Sequence, residues 1–132
     1  LMVQLCDAQL ANFQINVGDN AAYQQNGPLT LDEGTLFIAQ EGLYRGSERP
    51  VILGGDTLVD NHGTLTLNAF STIIPSQLGG QFDNYGTLYL ATPVTLEGTL
   101  NNYGEIRSSY SQEAEVLLTG SGTLTGSTEI QP

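Results

Sequence analysis

Three nine-residue segments of this chain align on one another without a gap, and that repetition constrains the fold more than any other feature. They read Val-Asp-Asn-His-Gly-Thr-Leu-Thr-Leu at 59–67, Phe-Asp-Asn-Tyr-Gly-Thr-Leu-Tyr-Leu at 82–90 and Leu-Asn-Asn-Tyr-Gly-Glu-Ile-Arg-Ser at 100–108. Two weaker copies flank them, Asn26-Gly27-Pro28-Leu29-Thr30-Leu31 and Gly122-Thr123-Leu124-Thr125-Gly126. The aligned turn glycines are Gly27, Gly63, Gly86, Gly104 and Gly122. Taken in order, the intervals between them read as two periods, one period with a short insertion, and two single periods. The inserted residues are expected to bulge out around Ser71 to Gln77. A register held in this way marks a repeat protein.

Strand geometry says what each copy does. In Asn61-x-Gly63-x-Leu65-x-Leu67 the named residues share one parity, and hence one face of an extended strand. Leu65, Leu67, Leu88, Leu90, Ile106 and Leu124 are expected to point inward, with Thr64, Thr66, Thr87, Tyr89, Glu105 and Arg107 outward. The glycine would permit a sharp backbone turn at each strand start. A second strand is expected in the other half of several periods, at Val51-Ile52-Leu53, Val94-Thr95-Leu96 and Val116-Leu117-Leu118, punctuated by Gly54-Gly55, Gly79-Gly80, Gly98 and Gly120. Short strands and turns with no room for a helix describe rungs stacked at ~4.8 Å. The expected fold is all-β, a single-stranded parallel β-solenoid (a β-helix) of about 18–23 residues per rung over residues 26–132. Residues 1–25 would form an N-terminal strand or arm, serving as cap or donor strand; there Phe13, Ile15 and Val17 alternate with Gln14, Asn16 and Gly18.

Stacking turns equivalent residues into columns. Asn61, Asn84 and Asn102 can donate and accept amide hydrogen bonds along the axis, or each can bond its own turn, so they are read as structural. His62, Tyr85 and Tyr103 form an outward column. It reads as a ring stack that reinforces register, or as an aromatic platform for surface glycans. No Ser/His/Asp pattern surrounds His62. Asp60 and Asp83 stack with Asn101, and like charges one rung apart repel unless a proton or cation intervenes. They are the weak Ca²⁺ candidates, but no full set of oxygen ligands at a known calcium spacing accompanies them. Solvated turn carboxylates are the default, with no metal or cofactor expected.

Composition narrows the partners. Of 132 residues, 14 are Asp or Glu against 3 basic ones, a net charge of −11. With no basic cluster, nucleic acid and anionic membrane surfaces are poor partners. No apolar run reaches the ~18–20 residues of a membrane span, so no membrane insertion is expected. Cys6 is the only cysteine. It is read as a small buried hydrophobe, with an interchain tether as the alternative. The chain opens Leu1-Met2-Val3, which suggests a processed product or an excised piece whose export signal is gone.

The phrase Leu100-Asn101-Asn102-Tyr103-Gly104-Glu105-Ile106, with its relatives at 59–67 and 82–90, resembles the N-x-G-x-L repeats of filamentous-haemagglutinin-type adhesins. The likeness covers roughly residues 26 to 126. Those adhesins are large secreted bacterial surface proteins built as right-handed parallel β-helices. The resemblance therefore implies a right-handed coil, an extracellular or cell-surface location and a structural or adhesive role. This chain is far shorter than such an adhesin, which suits a fragment or a small filament-forming subunit.

The leading expectation is an extracellular structural module of a fibre or adhesin. Its partner would be a further copy, stacked head to tail into filaments, or the rest of a longer solenoid. A carbohydrate-binding or polysaccharide-degrading β-helix is the alternative. An enzyme is not expected, because Asp60 and Asp83 are the only carboxylates that stack in the aligned repeats and nothing gathers Arg45, Arg49 and Arg107. Ice binding would need a flat array of threonines. The outward columns Pro28, Thr64, Thr87, Glu105, Thr123 and Thr30, Thr66, Tyr89, Arg107, Thr125 are interrupted by charge and by a ring.

Overall fold

The computed structural model describes residues 2–4, 8–46, 49–68 and 75–132. Cys6 and residues 71–74 of the expected bulge lie outside the described residues.

Alternating apolar residues make short strands, and glycine- or polar-rich corners bend the chain between them. The first turn contributes β1 (Met2–Gln4), β2 (Ala8–Leu10) and β3 (Phe13–Val17). The second has β4 (Ala22–Gln25) and the long β5 (Leu29–Ile38), and the third has β6 (Leu43–Arg45) and β7 (Val51–Asn61). The fourth comprises β8 (Thr64–Leu67), β9 (Gln77–Leu78) and β10 (Gln81–Asn84). The fifth comprises β11 (Thr87–Leu90), β12 (Val94–Leu96) and β13 (Thr99–Asn102). The sixth has β14 (Glu105–Arg107), a one-turn helix α1 (Ala114–Leu117), β15 (Leu118–Thr119) and β16 (Thr123–Gly126). β17 (Ile130–Gln131) begins another turn.

These pairings are parallel throughout, as a coil climbing one axis requires. One sheet has the order β1-β4-β6-β8-β11-β14-β17, a strand from each turn. The rest of each turn builds the second sheet, where β5 and β7 are long enough to span both segments of it. The protein is a parallel β-solenoid. Leu43, Thr64, Thr87 and Glu105 stack one above another, and Ile130 stands above Ile106. The length of chain between successive members of these stacks varies without breaking them. The described part of the N-terminal arm supplies β1 to β4 to the same two sheets. The strand expected at Phe13–Val17 is there, with its apolar residues turned inward.

The core is the inside of the coil. Tyr44, Leu65, Leu88 and Ile106 stack in one buried column, and Leu36, Val59, Phe82 and Leu100 in another. Each such side chain contributes roughly 1.5–3 kcal/mol on leaving water. Leu124, expected to point inward, is only partly buried on the last described turn.

Three details depart from the sequence expectation. Val116 and Leu117 are helical rather than extended. Leu117 is fully buried from α1, and the chain becomes a strand only at Leu118. Gln77 is not part of a bulge, since it pairs with Ile52 and Thr95 in the ladder. The glycine register is also corrected. Gly63, Gly86 and Gly104 do share a column, and its earlier member is Gly42, which immediately precedes β6. Gly122 stands instead above Gly98 at the entrance to a second-sheet strand, and Gly27 precedes β5 in that same sheet. Both sheets use a glycine or turn followed by alternating inward apolar residues, so a short Gly-x-Leu phrase cannot tell them apart.

The column glycines are required by space rather than by torsion. None of Gly42, Gly63, Gly86 and Gly104 has a positive φ. A Cβ on Gly86 would strike the Gly63 carbonyl oxygen, and one on Gly104 would strike that of Gly86 and sit 2.7 Å from the Tyr85 carbonyl. Gly55 has no atom within 4 Å of its would-be Cβ. Gly104→Ala is therefore expected to cost about 2–3 kcal/mol in urea unfolding, as overpacking does. Gly55→Ala should stay within about 0.5 kcal/mol of the parent or gain slightly. Equal effects at the two sites would refute the crowding argument.

Candidate functional site

The repeated phrase Asp-Asn-ring-Gly builds one corner of the coil, where β7, β10 and β13 hand over to β8, β11 and β14. Along each strand the Asp or Asn faces out and the next Asn faces in; the ring then turns out, and the glycine lies on the backbone of the turn below. Three columns result, at the positions where the sequence places its candidates.

The inner column is a continuous amide ladder. Asn61 Nδ2 donates to Asn84 Oδ1 at 2.8 Å, and Asn84 Nδ2 donates to Asn102 Oδ1 at 2.8 Å. Asn102 Nδ2 ends the series on the Ser127 carbonyl at 2.9 Å. The same amides donate sideways, Asn61 to the Thr87 carbonyl and Asn84 to the Glu105 carbonyl, each at 3.0 Å. All three asparagines are buried, so each paired donor removes a desolvation penalty of about 1–3 kcal/mol. The Gly63 N–H also donates to Asn61 Oδ1 at 3.2 Å, so both ways of using a turn asparagine occur together.

The outer ring column stacks face to face. His62 and Tyr85 have centroids 4.7 Å apart at 7°, and Tyr85 and Tyr103 are 5.0 Å apart at 19°. Phe37 extends the series below His62 at 5.6 Å and 44°. Tyr85 has both faces committed to neighbouring rings, whereas Tyr103 stacks on Tyr85 alone among the described rings and is 62% exposed. Desolvation in the stack raises the Tyr85 phenol above its usual pKa, helped by Asp83, Tyr103 and Asp60.

The Asp60, Asp83, Asn101 column continues to Thr125. Asp83 accepts from Gln81 Nε2 at 3.0 and 3.2 Å and from Asn101 Nδ2 at 2.8 Å. Asp60 Oδ1 lies 2.8 Å from His62 Nε2, a close approach rather than an aligned hydrogen bond. On the Asp83 side, neighbouring donors thus offset the like-charge contact. Among the described residues no three His, Cys, Asp or Glu side chains gather as a metal site would need. Arg45 and Arg107 share one outward column, with Thr66 and Tyr89 between them, and Arg107 is tied to Glu105 at 3.1 Å. This corrects the composition of the outward columns, since Thr30, Thr123 and Thr125 belong to the other sheet and Pro28 immediately precedes its strand β5.

A buried polar node went unread in the sequence. Tyr44 donates to Gln25 Oε1 at 2.7 Å, and Gln25 Nε2 donates to the carbonyls of Gly27, Arg49 and Pro50 at 2.9–3.1 Å. Tyr23 and Tyr44 stack at 5.1 Å, and burial pushes the Tyr44 phenol well up, with Tyr23 adding to it. The one available signal was that Tyr23 and Tyr44 stand one rung apart along the chain, each followed by a long polar side chain.

No protein-family model, curated protein or solved structure matches this chain.

The amide ladder makes a direct test. Asn84→Asp places a carboxyl in a fully buried slot, so its folded pKa rises above the unfolded value of ~3.9. The variant is then least destabilised below that value and loses stability as pH rises through the folded pKa. Relative to the parent, its urea midpoint should fall between pH 4 and pH 7, with about 3 kcal/mol or more lost at neutral pH. A parent-corrected midpoint indifferent to pH would show that the ladder is not buried as described.

Proposed function

We propose that this chain is a structural solenoid module of an extracellular fibre or adhesin. Its end turns would continue into those of another copy or of a longer solenoid. The observation that carries the reading is the continuity of its columns from end to end. One interior column runs Tyr23, Tyr44, Leu65, Leu88, Ile106, Ile130, with the exposed Met2 in register below Tyr23. Another runs Ile15, Leu36, Val59, Phe82, Leu100, Leu124. A second copy set on the first brings apolar residues onto apolar residues in the same register, with strand edges offering main-chain hydrogen bonds. Such a contact is heterologous and does not close, so it generates filaments.

The resemblance to adhesin repeats and the low content of charged residues support a surface-exposed rod. The side-chain ladders support a mechanical rather than a catalytic role, because the asparagine donors are already committed along the axis. Net charge opposes association at neutral pH, and acid, salt or Ca²⁺ relieves it.

Negative-stain electron microscopy of the concentrated chain, with and without Ca²⁺, tests this. Uniform fibres are expected, and light scattering should grow on lowering the pH from 7 towards 4 as carboxylates take up protons. Compact particles at high concentration under all of these conditions would sink the head-to-tail reading.

A further inference from the structure

Tyrosine contributes two stacked pairs to this fold, and they differ in access. Tyr23 and Tyr44 stack at 5.1 Å and 11° inside the coil, 7% and 1% exposed. Tyr85 and Tyr103 stack at 5.0 Å and 19° on the outside, 48% and 62% exposed. The inner pair is closed to any bulky oxidant, and the Tyr44 hydroxyl is held by Gln25, whose amide is no base. The outer pair is open to an oxidant and to water that can carry protons away. Elsewhere, the Tyr89 hydroxyl is bonded to Ser109 at 2.8 Å, and Tyr110 is exposed.

We infer that Tyr85 and Tyr103 form an oxidative cross-linking site, at which a dityrosine bond staples two consecutive turns. The co-reactant is hydrogen peroxide acting through a haem peroxidase or an equivalent one-electron oxidant. Each phenol gives up one electron and one proton and becomes a phenoxyl radical with spin density on the ring carbons beside the hydroxyl. One carbon–carbon bond forms between such carbons of the two rings. Each bonded carbon then releases its hydrogen, which restores the aromatic ring and returns a proton to the phenolic oxygen. In sum, two tyrosines are oxidised to one dityrosine and one peroxide is reduced to two waters.

The fold supplies proximity. The paired strands hold Asn84 beside Asn102, so the residues that follow them are presented side by side on neighbouring turns. Coupling becomes intramolecular and does not wait for two chains to meet. The link would close a loop of one full turn of the coil, tying it to the next in the way a disulfide ties a loop. It arises within one chain and does not rest on the fibre reading.

The test is to treat the dilute full chain with peroxidase and peroxide, then read dityrosine fluorescence, intact mass and a peptide map. The expected product is a monomer lighter by two hydrogen atoms, with a peptide linking 85 to 103 and a raised urea midpoint. Tyr103→Phe keeps a ring in the stack and should leave circular dichroism unchanged while abolishing the monomer's dityrosine signal. Tyr110→Phe should leave that signal intact. Dityrosine confined to linked dimers, a signal that survives Tyr103→Phe, or an adduct of His62 with Tyr85 in its place would each overturn the assignment.

Discussion

Everything in this molecule follows from laying one backbone turn directly on the next. Parallel ladders set that separation at ~4.8 Å, too close for a side chain to intervene at a tight corner. Gly63, Gly86 and Gly104 answer that demand, each resting against carbonyls of the turn below. The same spacing fixes the chemistry of the columns. An asparagine amide can both donate and accept, so a stack of Asn61, Asn84 and Asn102 satisfies itself. A stacked carboxylate cannot, so Asp83 relies on Gln81 and Asn101.

The turns differ in length, yet the columns stay aligned, because the variation is confined. The corner between the second sheet and the next first-sheet strand is nearly constant. Asn61 to Thr64, Asn84 to Thr87 and Asn102 to Glu105 are each joined by two residues. The opposite corner absorbs the rest, from the short passage between β11 and β12 to the stretch containing α1. Buried, fully paired amides are costly to misplace, which suits the constant corner to holding register while loops elsewhere change length.

That asymmetry also explains what the sequence revealed. The solenoid and the three candidate columns were legible because three copies share the constant corner without a gap. The earlier copy at Leu36-Phe37-Ile38 was hidden, since four residues rather than two separate the inward residue of that strand from the strand that follows. Phe37 therefore went unnoticed as the lowest ring of the stack. Gly27 and Gly122 were misassigned because both sheets write nearly the same short phrase. The Gln25–Tyr44 node was invisible for another reason. Its acceptors are main-chain carbonyls of Gly27, Arg49 and Pro50, and nothing in side-chain identity announces a carbonyl turned inward.

The distribution of charge bears on the proposed fibre. Asp32, Glu33, Asp56 and Glu97 are exposed on the flanks of the coil, whereas the interior columns reach both end turns as apolar residues. Two such rods approaching side by side bring like charges together. Approaching end to end, as proposed, they would align the apolar columns of one copy on those of the next. Exposed edges are a hazard when any neighbour can pair with them. In the proposed fibre the acidic flanks would disfavour lateral pairing and leave the axis as the favoured direction of growth. A strong excess of negative charge on the sides and apolar core columns would thus favour thin filaments over sheets in that fibre, and the bias would weaken wherever protons or cations neutralise the flanks.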